Sequence, residues 1–151
     1  MEELEFGNNN MGILKSAPIR DALKTPGNKI TKLDLRNNTL MAGGVAVISQ
    51  ALKDPNNQVT TLNLGSNLLL DDAVTFLADA VMHPNNKVTE LSIYGNEITD
   101  VGANMLIKAL EHSNNKIENL DVAINKIGFS GKEALKTAVS NVVNRKIILK
   151  I

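Results

Sequence analysis

The sequence predicts an α/β solenoid in which a short strand and a helix alternate in 29-residue units. Three observations predict it. An asparagine returns at Asn9, Asn38, Asn67, Asn96 and Asn125, each 29 residues after the last. Apolar residues alternate just before it, as on a strand with one buried face. Behind it the apolar spacing changes to that of one helix face. A fixed period of about 20–50 residues marks a repeat array, and it overrides the ordinary globular domain that length alone suggests. Residues 1–151 are therefore expected to form one domain of about five units, starting near Leu4, plus the start of a sixth strand at Leu149 and Ile151.

Each element follows from its residues. The strand-and-turn segment reads Leu33-x-Leu35-x-x-Asn38-x-Leu40, then Leu62-x-Leu64-x-x-Asn67-x-Leu69. It recurs as Leu91-x-Ile93-x-x-Asn96-x-Ile98 and Leu120-x-Val122-x-x-Asn125-x-Ile127, with Leu4-x-Phe6-x-x-Asn9-x-Met11 as a degenerate first copy. The asparagines read as structural, because a side-chain amide can satisfy backbone groups of neighbouring coils at an enclosed turn. Helix faces follow at Val45, Ile48, Ala51 and Leu52, at Val74, Leu77, Ala80 and Val81, and at Ala103, Leu106, Ala109 and Leu110. Loops Pro55-Asn56-Asn57 and Pro84-Asn85-Asn86 then reverse the chain.

Helix starts are marked too. Asp71 or Asp72 and Asp100 are placed to accept from free backbone N–H groups, and Ser130 with Glu133 fits a capping box. Pro18 stands where later copies carry Val47, Phe76 and Met105, so the first helix is expected to be short and to start near Ala17. Ala22, Ala51, Ala80, Ala109 and Ala138 form one column, where a small residue lets each helix lie close over its strand.

Composition narrows the function. Sixteen basic residues balance sixteen acidic ones, whereas nucleic acid or an anionic membrane would call for a basic excess. No cysteine is present, so there is no disulfide or thiolate metal site, which fits a reducing compartment such as the cytoplasm. The acidic start MEELEFGNNN is unlike a secretory signal, and no apolar run nears the ~18 residues of a membrane span.

The repeated segment resembles the leucine-rich repeat family. Its 29-residue period and the stretch Gly95-Asn96-Glu97-Ile98-Thr99-Asp100-x-Gly102-Ala103-x-x-Leu106-x-x-Ala109-Leu110 resemble the ribonuclease-inhibitor-like class. The resemblance covers nearly the whole chain. It implies a right-handed curved solenoid with parallel strands on the concave face and helices on the convex face. It also implies a partner protein bound on the concave face, with no cofactor. The Asn-rich loops are similar to repeats of effectors that pathogens inject into host cells, which adds translocation into a host cell to the expectations.

Register then picks out the outward residues, because side chains alternate across a strand. The column between the leucines is Glu5, Asp34, Asn63, Ser92 and Asp121; the one before it is Lys32, Thr61, Glu90 and Asn119. The one after it is Arg36, Gly65, Tyr94 and Ala123. These columns vary while the core columns hold, as on a binding surface laid over a scaffold. Arg36 and Tyr94 are of the types enriched at binding hot spots. The acidic column points to a partner with some basic character. The plain alternative is a solvated polar face.

Other features carry less. His83 and His112 share a column near helix C-termini, where the helix dipole favours positive charge; a metal pair would need more ligands than that column offers. Gly128-Phe129-Ser130-Gly131-Lys132 is too short for a phosphate loop. No serine, histidine and acid recur as a nucleophilic set, so the chain reads as a non-enzyme. The rival readings are a GTPase-activating regulator, since Ran GTPase-activating proteins share the repeat class and Arg36 or Asn37 would be its polar residue, and a scaffold or homodimer joined through open solenoid ends.

Overall fold

The computed structural model describes residues 2–151. Among them six strands alternate with five helices: β1 (Glu2–Glu5), α1 (Ser16–Lys24), β2 (Ile30–Asp34), α2 (Met41–Leu52), β3 (Thr61–Asn63), α3 (Asp71–Val81), β4 (Glu90–Ser92), α4 (Asp100–Glu111), β5 (Asn119–Asp121), α5 (Phe129–Asn141) and β6 (Ile148–Lys150). The strands form one parallel sheet in chain order. The repeat sets the register: Leu33 lies beside Leu62, Leu62 beside Leu91 and Leu91 beside Leu120. Those leucines are buried under the helices, as are Val45, Ile48, Leu52, Val74, Leu77 and Leu106. Strands sit ~4.8 Å apart and packed helices ~8–10 Å apart. Two layers joined unit by unit at unequal spacing must bend, with the tighter layer inside. The strand face is therefore the concave one.

The recurring asparagine ties coil to coil. Asn67 Oδ1 accepts from the backbone N–H groups of Asn38 (3.0 Å) and Leu40 (3.3 Å) in the preceding coil. Its Nδ2 donates to the Leu35 carbonyl of that coil (2.8 Å) and to Gly65 of its own (3.1 Å). Asn96 repeats the pattern, accepting from Asn67 and Leu69 and donating to Leu64 and Ile93. Asn38 and Asn67 are fully buried. At the two ends the set is partial: the Asn9 side chain donates only within its own turn, while its backbone N–H donates to Asn38 Oδ1, and Asn125 Oδ1 accepts from Ile98 N–H.

A second asparagine ladder lies at the opposite turn. Asn28, Asn57 and Asn86 donate to the carbonyl five residues back, at Leu23, Leu52 and Val81. Each also accepts from the N–H two residues on, at Ile30, Val59 and Val88. The residue before Asn57, Asn86 and Asn115 crosses coils: Asn56 donates to Lys24, Asn85 to Lys53 and Asn114 to Met82. In the last loop Arg145 takes over. Its guanidinium donates to Leu110 and Ile117 carbonyls and to Asn115 Oδ1, at 2.8, 2.9 and 3.0 Å. Arg145 thus occupies the Leu110 carbonyl that an Asn115 amide would otherwise reach, and the buried Asn115 Nδ2 has no partner among the described residues. Burial pulls the Arg145 pKa below the usual arginine value, with Glu118 pulling the other way.

Helix starts depart from expectation. Asp71 is the first residue of α3, not its cap. Its carboxylate accepts from the next coil instead: Thr99 N–H and Gly102 N–H at 2.9 Å each, and the Thr99 hydroxyl at 2.6 Å. Asp100 likewise accepts from Gly128 N–H at 2.6 Å, while Asp72 accepts from Ala73 N–H. Helices lie side by side in the array, so the next helix start is as close as a residue's own. A side chain at Gly102 would run into the Asp71 carboxylate. Thr99 itself caps α4 by accepting from Val101 N–H. The Ser130–Glu133 capping box does not form: α5 starts at Phe129, which puts Ser130 inside the first turn, and Glu133 pairs with Lys136. The first helix begins at Ser16, one residue before the expected start. With 9 residues it is shorter than the 11 to 13 of the others. Pro18 falls in its first turn, where no backbone donor is needed.

Two stability tests follow. Ala51, Ala80 and Ala109 are fully buried, so Ala80→Leu is expected to destabilise by about 1–3 kcal/mol through overpacking; an unchanged unfolding midpoint would refute close packing there. Asn67→Ala strands the buried N–H groups of Asn38 and Leu40, while the Leu35 and Gly65 carbonyls keep Asn38 Nδ2 and Asn37 N–H as donors; the expected loss is about 2 kcal/mol or more, whereas Asn9→Ala at the exposed end should cost under about 1 kcal/mol. Equal losses in denaturant unfolding would show that the ladder bonds are not what holds the coils.

Candidate functional site

The sheet register lines up the outward residues as three columns. Glu3, Lys32, Thr61, Glu90, Asn119 and Ile148 are strand neighbours, and so are Glu5, Asp34, Asn63, Ser92, Asp121 and Lys150. Gly7, Arg36, Gly65, Tyr94 and Ala123 follow just beyond the strands, held by the bonds Asn8 N–H to Arg36, Asn37 N–H to Gly65, Ser66 N–H to Tyr94 and Gly95 N–H to Ala123. All the sequence-derived face residues, from Lys32 to Asp121, are thereby brought onto one surface.

Several of these side chains also serve the backbone. Asp34 Oδ1 accepts from Arg36 N–H (3.1 Å), Asn63 Oδ1 from Gly65 N–H (3.0 Å) and Asp121 Oδ1 from Ala123 N–H (3.1 Å). Asp and Asn suit this position because a short side-chain acceptor reaches the N–H two residues on. The middle column is therefore partly a set of turn residues.

The acidic column is also less acidic than its residues suggest. Asp34 Oδ2 pairs with Arg36 at 3.1 Å, Glu3 with Lys32 at 2.7 Å, and Asp121 Oδ2 lies 3.9 Å from Lys150. These pairs are solvated, and water and salt screen them, so they add little stability. They still answer much of the negative charge within the face, so the expected preference for a basic partner is weakened. The hydrogen bond and charge of Glu3, with smaller contributions from Glu90 and Glu5, hold the Lys32 pKa above the ordinary lysine value. Glu5 and Glu90 make no ion pair among the described residues.

Shallow hollows lie along the face. One of about 300 Å³ runs over Thr61, Asn63, Glu90, Ser92, Asn119, Asp121, Ile148 and Lys150. A second, of about 210 Å³, lies between Arg36 and Tyr94, with Asn37, Asn63, Gly65, Ser66, Ser92 and Asp121 around it. Tyr94 is 44% exposed, enough to be touched by a partner.

Just past the strands, the residue before each ladder asparagine is left-handed. Asn8, Asn37, Ser66, Gly95 and Ile124 have φ between 53° and 66°. Asn and Gly accept this geometry readily; Ile124, β-branched and exposed, is strained there. Asn37 also donates to Asn8 Oδ1 at 2.9 Å.

The histidines, just past the C-termini of α3 and α4, also have a loop role. His83 Nδ1 accepts from Asn85 N–H and His112 Nδ1 from Asn114 N–H, both at 3.2 Å. Asp54 does the same for Asn56 N–H. Sequence reasoning missed the second asparagine ladder and the inter-coil role of Asp71 and Asp100. The spacing of Asn28, Asn57, Asn86 and Asn115 carried that signal, hidden inside loops read only as turns.

Comparison with known proteins agrees with this geometry. A family model described as Leucine Rich repeat matches residues 85–106, the span from Asn85 through the Asn96 turn to Leu106 of α4. No curated protein matches the chain. Among solved structures, the leiomodin-1 actin-binding site 2 domain matches with a TM-score of 0.72 over 91% of this chain and 78% of that one, at 20% identity. The fold is the leucine-rich repeat solenoid, six parallel strands in one sheet alternating with helices.

A pH prediction rests on the Lys32–Glu3 pair. The raised Lys32 pKa stabilises the β1–β2 edge fully below the ordinary lysine value, and that contribution is lost as pH rises through the raised one. Glu3→Gln should lower the Lys32 titration, followed by NMR of its side chain, toward the ordinary value, with Glu90 and Glu5 still raising it slightly. An unmoved titration would show that Glu3 is not the cause.

Proposed function

We propose that the chain is a protein-binding module that seats its partner on the concave strand face. The observation that carries this reading is the division within each coil. Buried ladders fix the turns, while Lys32, Asp34, Arg36, Thr61, Asn63, Glu90, Ser92, Tyr94, Asn119 and Asp121 form an exposed or half-exposed polar surface with open hollows. A rigid scaffold carrying a variable surface lowers the ordering cost of association. The solenoid of leiomodin-1 carries an actin-binding site by its name, which makes a protein partner the natural class and purified actin the first candidate.

Chemistry by the chain itself has less support. A GTPase-activating role would use Arg36 or Asn37. Arg36 is engaged by Asp34 and Asn37 by Asn8, so neither is presented unpaired. The Asn-rich loops are accounted for by their hydrogen bonds, and a role as a translocated effector stands on the resemblance of those loops alone. A second reading is self-association. β1 carries Glu2, Glu3 and Glu5 while β6 carries Lys150, so head-to-tail pairing of copies would bring opposite charges together.

Capture experiments test the main reading. Tyr94→Ala and Arg36→Ala should each reduce recovery of the partner, from purified actin or from lysate, several-fold, while Lys108→Ala on the outer face of α4 should not. Equal recovery by all three variants would rule out the concave face. Light scattering addresses self-association, and a monomer at high concentration removes that reading.

A further inference from the structure

We propose that the hollow between Arg36 and Tyr94 is a slot for one tyrosine side chain of the partner, with Gly65 as its floor. The column alternates small and large residues: Gly7, Arg36, Gly65, Tyr94. Strands are ~4.8 Å apart, so Arg36 and Tyr94 stand ~9.6 Å apart at their roots, with Gly65 between them. That leaves room for one planar group beside the Tyr94 ring, with Arg36 as the far wall.

The walls are already in place. The Arg36 stem leans over Gly7: a methyl group added at Gly7 would lie 3.3 Å from Arg36 Cγ. Asp34 holds the guanidinium at 3.1 Å. The arginine therefore stands away from Gly65 and leaves the floor open. A methyl group added at Gly65 would have Asn63 Oδ1, the Tyr94 carbonyl oxygen and Tyr94 Cβ as its nearest neighbours, at 3.2, 3.3 and 3.9 Å, so the floor is open only while this residue has no side chain.

Chemistry selects the occupant. At about 210 Å³ the hollow is smaller than the ~300 Å³ at which small-molecule pockets begin, so it fits a single side chain. A guanidinium and a phenol ring both stack on flat aromatic groups. A cationic occupant would be repelled by Arg36. A strongly anionic one would meet Asp121, and would find Arg36 already engaged by Asp34. The lining includes the Asn63 amide, whose Oδ1 is used by Gly65 N–H while its Nδ2 has no partner among the described residues, and the Ser92 hydroxyl. A polar tip on the ring is thereby matched, which favours tyrosine over phenylalanine.

The slot rests on the concave-face reading, and its test separates the two. Isotope-labelled protein is titrated with N-acetyl-L-tyrosinamide and followed by NMR. Saturable shifts centred on the Gly65, Ser66 and Tyr94 amides are expected, with a Kd of roughly millimolar order for so small a probe. Gly65→Leu should abolish them. Tyr94→Leu, which adds no group at the floor, should weaken binding about 3- to 10-fold, and it keeps the test valid if Gly65→Leu disturbs the fold. The phenylalanine analogue should bind more weakly than the tyrosine probe, and the O-phosphotyrosine analogue more weakly still. Shifts centred elsewhere, insensitivity to Tyr94→Leu, or tightest binding by the phosphorylated probe would each overturn the slot. Partner capture that depends on Tyr94 without any tyrosinamide binding would overturn the slot and leave the concave face standing.

Discussion

Every coil must turn twice in a space that the next coil closes off from water, and the backbone groups of those turns must find partners there. Asparagine meets the need because one side chain offers an acceptor with two lone pairs and two donor hydrogens in a plane. At the strand end Asn67 uses all of them, reaching back to Asn38, Leu40 and Leu35 and across to Gly65. A single unmet buried group there would cost about 1–3 kcal/mol, a large share of the 5–15 kcal/mol by which folded domains are usually stable. The core leucines give the array its cohesion. The asparagines fix the geometry in which that cohesion is realised.

This constraint also shapes the surface. Because Asp34, Asn63 and Asp121 brace the backbone as it leaves the strand, they are less free to vary with a partner than their exposure implies. The positions before and after them, from Lys32 and Glu90 to Arg36 and Tyr94, make no such backbone bond. On the proposed reading, affinity and specificity would rest most directly on those outer columns, with the middle column as a braced floor.

Much of the fold was legible in the sequence because two periods were superposed on a third. Alternation gave strands, helical spacing gave helices, and the return of the asparagine fixed where one ends and the other begins. The surface columns followed from that count alone. What stayed hidden was contact between coils at equivalent positions. Asp71 and Asp100 looked like caps for their own helices, since a chain read in one dimension shows only neighbours along it. Their real partners, Thr99, Gly102 and Gly128, lie 28 to 31 residues ahead. The charge pairs Asp34–Arg36 and Glu3–Lys32 were missed for a related reason: composition counts charges but does not say which ones meet.

The ladder has a consequence for how such a chain changes over generations. Each interior asparagine makes the same kind of bond to the coil 29 residues behind it. A whole unit gained by duplication, or lost by deletion, would find its sockets ready on both sides and leave no interior group unmet. A change of a single residue within the strand and turn would break every rung it touched. The array is thus free to lengthen in whole units while each unit resists internal resizing, and the reach of its surface becomes a quantity that evolution can set in whole numbers.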